Sequence, residues 1–327
     1  MPALLERHQV VLYLVALVVG GALGLTVPAV GAPAEAALTP VLAALLYVTF
    51  LAVPLVEAAR SLTDLKFLAT LAGVNFLLAP AVAWLVTRPV EADRVLLVGL
   101  LLVLLAPCVD YVIVFTRLAG GAATRLLAAA PLLLLGQMIA LPVYLGLFLG
   151  RDLVGEVMAP GPFVHALVWL ILVPLAAAAL TQLCRARRIM AAADALMVPL
   201  MMVTLATVVA SQIGGVGAQW GRLVAVVPVV AAFAVVMAAV GAVVSRAAGI
   251  DVPGRRAVTF SGATRNSLVV LPLALTLPAG YELAPLVVVT QTLTELLLMV
   301  AFVRVIPRLV GAKNSRPDMG RERERAA

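Results

Sequence analysis

Charge is what this sequence has least of. Only 12% of its 327 residues are Asp, Glu, Lys or Arg, about half the share of an ordinary soluble domain. That excludes a water-soluble globule, whose surface needs more ionised groups than these. Aromatics are scarce too, at 5%, and they do not interleave with the basic residues, so a nucleic-acid interface of stacking rings and phosphate contacts is excluded. The two cysteines, Cys108 and Cys184, stand in separate segments and suggest no disulfide framework. The two histidines, His8 and His165, have no metal-ligating neighbours, and no cofactor or resident metal is expected. No H-E-x-x-H, G-x-S-x-G, P-loop or Gly-rich dinucleotide fingerprint occurs, so the chain is not expected to be an enzyme. With no ATP site, any pumping by such a chain must be coupled to an ion gradient or to another protein.

What fills the sequence instead is apolar. Hydrophobic residues make up 64% of the chain, with a mean hydropathy of +1.15. A helix needs about 20 apolar residues to cross the hydrocarbon core. Ten runs qualify, at residues 9–27, 38–59, 67–87, 95–117, 125–149, 162–182, 191–213, 223–245, 255–277 and 284–306. They are too long and unbroken for barrel strands, so the expected fold is an all-α polytopic membrane protein. The first run is expected to be a span rather than a cleaved leader. Trp84, Trp169 and Trp220 fall near span ends, where aromatic anchors belong.

The 23 basic residues, against 16 acidic ones, leave a net charge of +7. Eighteen fall on the side of the N-terminus, four on the other, and Arg265 within a span. The positive-inside rule therefore predicts cytoplasmic N- and C-termini in a multi-pass plasma (inner) membrane protein. The charged stretch 311–327 reads as a disordered cytoplasmic tail. Ten spans divide into five and five, and an odd number per half inverts the second against the first. The expected organisation is one five-helix repeat at 1–160 and an inverted repeat at 161–310, a recurrent plan of secondary transporters.

Two stretches interrupt the apolar pattern at matching places, each in the fourth span of its half. One is Ala106-Pro107-Cys108-Val109-Asp110-Tyr111; the other is Gly262-Ala263-Thr264-Arg265-Asn266-Ser267. Pro107 removes a backbone hydrogen bond, and Gly262 with the polar run after it loosens the second helix, so both are expected helix breaks. At about 1.5 Å per residue, Asp110, Arg265, Glu295 and Gln137 lie about 10–18 Å from the inner ends of their spans. A charge at such depth costs roughly 3 kcal/mol or more and needs a partner. Asp110 and Arg265 form the natural pair, either a structural lock between two helices or an element of transport. Cys108, Asp110, Arg265, Asn266 and Glu295 are the candidate substrate contacts. Asp110, Thr116, Gln137, Thr264, Asn266, Ser267, Gln291 and Glu295 are candidates for holding or coupling an ion, because hydroxyl, amide and carboxylate oxygens suit hard cations. Each neutral one has a plainer reading as a helix–helix hydrogen bond. Asn75 reads as a packing contact and Glu57 as an interfacial residue paired near Arg60.

These residues resemble the bile-acid/arsenite/riboflavin transporter superfamily, and within it the arsenite-efflux permeases. The likeness rests on Ala106-Pro107-Cys108, then Val112-Ile113-Val114-Phe115, then Leu118-Ala119-Gly120-Gly121. Gln137 in the fifth span, Phe260-Ser261-Gly262-Ala263-Thr264-Arg265-Asn266 in the ninth and Thr292-Leu293-Thr294-Glu295 in the tenth extend it. The resemblance implies ten helices in inverted repeats with broken, crossed helices 4 and 9. Spans three to five and eight to ten would make a core, the others a panel. It also implies Na⁺ or H⁺ as coupling ion and Cys108 as the efflux cysteine. Pro107 stands where the pattern has arginine, Arg265 replaces the first of two asparagines, and Leu268 stands where a glutamate is expected.

Three functions follow. The first is proton-driven efflux of arsenite or a small metalloid oxyanion, with Cys108 as soft ligand and Asp110 and Glu295 as proton or charge-compensating groups. The second is sodium-coupled symport of an organic anion met by Arg265, with Asn266, Gln137 and Glu295 around the cation. The third is a non-transporting membrane sensor or scaffold. The partners expected are the lipid bilayer and a small-molecule or oxyanion substrate.

Overall fold

The structure, a computed structural model, describes residues 2–51, 63–109, 111–150 and 167–311. Glu57, His165, Asp110 and the charged tail beyond residue 311 lie outside the described residues, as do parts of the expected second and sixth spans. The described chain is helical. Its only pairing of β type among those residues is a single antiparallel bridge between Pro107 and Arg265.

The helices are α1 (Pro2–Thr26), α2 (Gly31–Leu51), α3 (Leu65–Val86), α4 (Arg94–Leu104), α5 (Tyr111–Leu118) and α6 (Ala123–Leu149). They continue with α7 (Val173–Leu183), α8 (Arg187–Val224), α9 (Val226–Ala247), α10 (Val252–Ala263), α11 (Ser267–Leu275) and α12 (Ala284–Leu309). Among the described residues, five helical stretches are long and apolar enough to cross a membrane: Gly31–Leu51, Leu65–Val86, Ala123–Leu149, Gln219–Ala247 and Ala284–Leu309. Their outward faces carry exposed Leu77, Ile139, Leu147, Val243 and Leu297. Side chains of this kind belong in lipid, where they cost nothing to leave uncovered. The protein is an integral, multi-pass membrane protein.

The expected fourth and ninth spans are each two helices. α4 stops at Leu104 because the ring of Pro107 disfavours helical backbone at the residue before it and takes away a donor. The second interruption needs a correction. Gly262, expected as the breaking residue, lies inside α10, and the break follows at Thr264, whose backbone is extended at φ −107° and ψ 147°. Asn266 then caps α11 by accepting a hydrogen bond from the amide of Val269 at 3.2 Å. Glycine is needed at 262 for closeness: a Cβ there would stand 2.8 Å from Cγ1 of Val74 on α3. The seventh span also differs from its expected end near residue 213. α8 runs on to Val224.

Packing sorts the helices. α8 lies along α1 and α2, and α2 also packs on α7. The others gather around the two breaks: α9 on α10, α12 on α9, α4 and α11, and α5 on α6 and α10. α8 reaches α12 and α9, and α2 reaches α11, which joins the two groups.

Small residues set how close these helices come, as they do where lipid supplies no hydrophobic drive for association. Gly20 and Gly24, one turn apart on α1, face the backbone of α8. A Cβ at Gly20 would strike the carbonyl and Cα of Ala206, and one at Gly24 would stand 2.6 Å from the carbonyl of Ala210. A Cβ at Gly21 would make only an ordinary contact, with Val209 Cγ1 at 3.7 Å. Gly20→Ala should therefore lower stability by about 1–3 kcal/mol through forced separation of α1 from α8. Gly21→Ala should leave it within about 0.5 kcal/mol. Thermal unfolding of the two variants side by side checks this.

Polar clamps close both ends of the bundle. At the end where α3 begins, Arg125 binds Asp251 at 2.6 Å and Asp64 at 3.5 Å. Nearby, Lys66 donates to the carbonyl of Gly249, and Arg256 to that of Ala119. At the other end Asp93 caps α4 and receives a two-pronged bond from Arg222, Nε at 2.8 Å and Nη2 at 2.6 Å. The hydrogen bond from Arg222 holds the Asp93 carboxyl below its ordinary pKa. A carboxyl depressed in the folded state stabilises the fold above its unfolded pKa, about 3.9, and loses that contribution as pH falls through the folded value. Asp93→Asn should thus melt below the wild type at neutral pH, and the gap should close on acidification below about pH 4.

Candidate functional site

The site is built where the two broken spans meet. Between α4 and α5 the chain is unwound from Leu105 to Val109, and between α10 and α11 from Thr264 to Asn266. The segments run antiparallel, bridged at Pro107 and Arg265, and the amide of Asn266 donates to the carbonyl of Ala106 at 2.8 Å. Unwound backbone at such depth is tolerated only when its polar groups find partners within the protein. Here each segment supplies them to the other.

Glu295 on α12 lies against this crossing. One of its carboxylate oxygens accepts from the backbone amide of Arg265 at 2.8 Å and from Nε2 of Gln291 at 2.6 Å. The other accepts from the hydroxyl of Tyr111 at 2.7 Å. That hydroxyl also lies 3.0 Å from the carbonyl of Arg265, so α5, α12 and the second break are joined at one carboxylate. Glu295 is only 1% exposed. A carboxylate so enclosed and so well supplied with donors is held by hydrogen bonds that are stronger than neutral ones.

Arg265 is fully buried, the largest such side chain among the described residues. Its guanidinium donates to Asn75 Oδ1 at 3.1 Å, to the carbonyl of Ser261 at 3.1 Å, to the carbonyl of Gly262, and to that of Leu104 at 3.5 Å. Its carbon lies 5.1 Å from the ring centre of Phe233 on α9. The expected partner, Asp110, lies outside the described residues. The four oxygens that take its hydrogen bonds among the described residues are neutral. Asn75, expected as a packing contact, is a full member of the site, bonded to Ser261 Oγ at 3.0 Å as well as to Arg265. It sits in a single π turn of α3, Val74–Leu78. Such wide turns loosen the backbone ladder and recur at functional positions. The carbonyl of Phe76 in that turn takes its bond from the hydroxyl of Tyr144.

The remaining candidates divide. Thr264 spends its hydroxyl on the carbonyl of Phe260 at 2.8 Å and so closes a helix end. Thr116 Oγ1, both amide atoms of Gln137, Asn266 Nδ2, Ser267 Oγ and Gln291 Oε1 are buried and make no hydrogen bond among the described residues. Buried polar atoms without partners cost about 1–3 kcal/mol each. Five of the candidate residues carry such atoms. Cys108 is fully buried beside the bridge, whereas Cys184 is exposed.

Two contributors escaped the sequence. Tyr111 gave a signal, a phenol in an apolar span next to an expected acid. Asn75 gave one too, a lone amide in the middle of an apolar run. The carbonyls that hold Arg265 give no signal, since every residue has one.

The profile of the sodium bile acid symporter family matches residues 39–221. The match takes in the first break and Gln137; Arg265 and Glu295 lie beyond it. No curated protein matches the chain individually. Members of the family are transporters and not enzymes, in keeping with a sequence that has no catalytic motif. With more than half of its length matched, the chain belongs to the sodium bile acid symporter family and is an ion-coupled membrane transporter.

Proposed function

We propose that the protein exports arsenite or a related small metalloid species, driven by the proton gradient, from a site at the crossing of the two broken spans. The observation that carries this reading is the burial of Cys108, a soft ligand, in the unwound segment bridged to Arg265. Thiophilic metalloids prefer sulfur to oxygen. Glu295 is the proton-coupling group: its carboxylate joins α5, α12 and the second break, so its protonation weakens three hydrogen bonds that hold those elements together. The two five-helix repeats are inverted, and the termini are cytoplasmic in the plasma membrane. α1, α2, α7 and α8 form a panel against which the helices of the crossing move.

A second reading, sodium-coupled symport of an organic anion, is favoured by the unbonded oxygens of Thr116, Gln137, Ser267 and Gln291, which suit a hard cation. It is weakened at the anion, because the guanidinium of Arg265 is already engaged by four oxygens.

Flux into inverted vesicles separates the two. With a proton gradient imposed, arsenite should accumulate without sodium. Sodium-driven uptake of an organic anion, with no arsenite flux under either gradient, would overturn the efflux reading.

A further inference from the structure

A helix that ends inside a membrane leaves its last carbonyls without partners and concentrates partial negative charge there. The protein has two such ends side by side, at the close of α4 and of α10. Six of their last eight carbonyls can be followed. Leu101 accepts from the amide of Leu105, and Val103 from that of Ala106. Phe260 accepts from the amide and hydroxyl of Thr264. The carbonyls of Leu104, Ser261 and Gly262 are taken by the guanidinium of Arg265. Asn75 adds a side-chain oxygen, and Phe233 an aromatic face, which attracts cations. Converging neutral oxygens at the C-terminal ends of broken helices are the setting in which secondary transporters hold a coupling cation. No carboxylate among the described residues takes a hydrogen bond from this head. Glu295, the carboxylate beside it, meets Arg265 through the backbone amide.

We propose that Arg265 is a tethered cation: its guanidinium fills, from within the chain, a position at the paired helix ends that would otherwise take a free monovalent cation. This rests on the reading of the crossing as the transport site, and it makes that half of the site independent of dissolved sodium. The positive charge stays in place through the transport cycle instead of entering and leaving with each turnover. Nε of Arg265 makes no hydrogen bond among the described residues, so the head is held at its tip, as a docked ion is, rather than along its stem.

The test needs no substrate and so stands apart from the flux experiment. Wild type and Arg265→Ala are melted in nanodiscs in choline, sodium or guanidinium chloride, each at about 100 mM, where a ligand that binds only the folded state raises its melting temperature. In choline the variant should melt roughly 5–10 °C below wild type, because buried oxygens have lost their charged donor. Sodium or guanidinium should recover at least half of that loss, while the same exchange moves wild type far less. An equal shift in both proteins would overturn the proposal, since the cation would then be binding elsewhere. A variant as stable as wild type in choline would overturn it, and so would a loss that neither cation repairs. Arg265→Gln, which keeps a donor without the charge, is measured in parallel. If neither variant folds in any of the three salts, the position is a rigid anchor rather than a cation site, and the proposal fails.

Discussion

Glu295→Gln should reduce transport by about 100-fold or more while leaving the protein folded and in the membrane. The carboxylate faces three donors: the amide of Arg265, Nε2 of Gln291 and the hydroxyl of Tyr111. An ionised carboxylate satisfies all three, because both its oxygens accept. A glutamine in the same volume offers one acceptor and one donor group: its oxygen can take the amide of Arg265 and Nε2 of Gln291, while its NH₂ meets Tyr111 only if the phenol turns its proton to the carbonyl of Arg265. The cost is the charge-assisted share of the three bonds, about 1–3 kcal/mol. A cost of that size slackens the crossing without unfolding a bundle of this length. The transport loss is larger because glutamine does not titrate. If protons couple through Glu295, Glu295→Gln should also lose the dependence of flux on imposed pH, and solute exchange should outlast uphill accumulation. The checks are counterflow and gradient-driven flux in proteoliposomes at several pH values. A variant that still concentrates substrate against a gradient would remove Glu295 from the coupling path. Tyr111→Phe is the milder companion: it removes one donor and leaves the carboxylate, so its effect should stay within about tenfold.

The crossing and the bundle differ in how much of them was legible in the sequence. Apolar runs announce spans because lipid admits little else, and Pro107 followed by Cys108 and a polar residue in such a run points to a break, since its ring costs the helix a hydrogen bond and crowds the preceding turn. The polar run from Thr264 to Ser267 located the second break, though Gly262 drew attention two residues too early. A glycine in an apolar span serves close packing as readily as it serves a break, and the need for closeness comes from Val74, nearly two hundred residues away. Glu295 and Asn266 were legible as members of the site because a charge or an amide at that depth must be satisfied. What satisfies Arg265 was not. Its partners among the described residues are Asn75 Oδ1 and three backbone carbonyls at helix ends, and the carbonyls become available only once the two breaks are brought together. The partner the sequence offers, Asp110, lies outside the described residues. The role of Asn75 was hidden too, because its meaning comes from α10 lying across the π turn of α3. Gly20 and Gly24 were visible as letters, but their partner, α8, is not implied by anything in α1.

Cys108→Ser should abolish arsenite export, with a fall of about 100-fold or more, if the thiol is the ligand. The substitution changes little besides softness. Sulfur and oxygen differ modestly in size, both are small, and residue 108 is fully enclosed at the bridge between the two unwound segments. A serine there keeps a donor and an acceptor and should leave the pairing of Asn266 with Ala106 intact. In the efflux reading the thiol exchanges with one hydroxyl of arsenous acid: the sulfur–arsenic bond forms, the thiol proton leaves with that hydroxyl, and water is released. One sulfur gives one such bond, so binding stays reversible, as a carrier that must release its cargo requires. Serine offers a hard oxygen that competes poorly with the water it would displace. The companion measurement is a chemical one. Arsenite should slow alkylation of Cys108 in the wild type, while Cys184, exposed at the end of α7, reacts regardless. Full export by Cys108→Ser, with protein levels and melting unchanged, would assign the buried thiol to packing, where a small apolar side chain is its ordinary use. The substrate would then be sought among solutes recognised by oxygen and nitrogen, beginning with the unbonded groups of Gln137, Ser267 and Gln291.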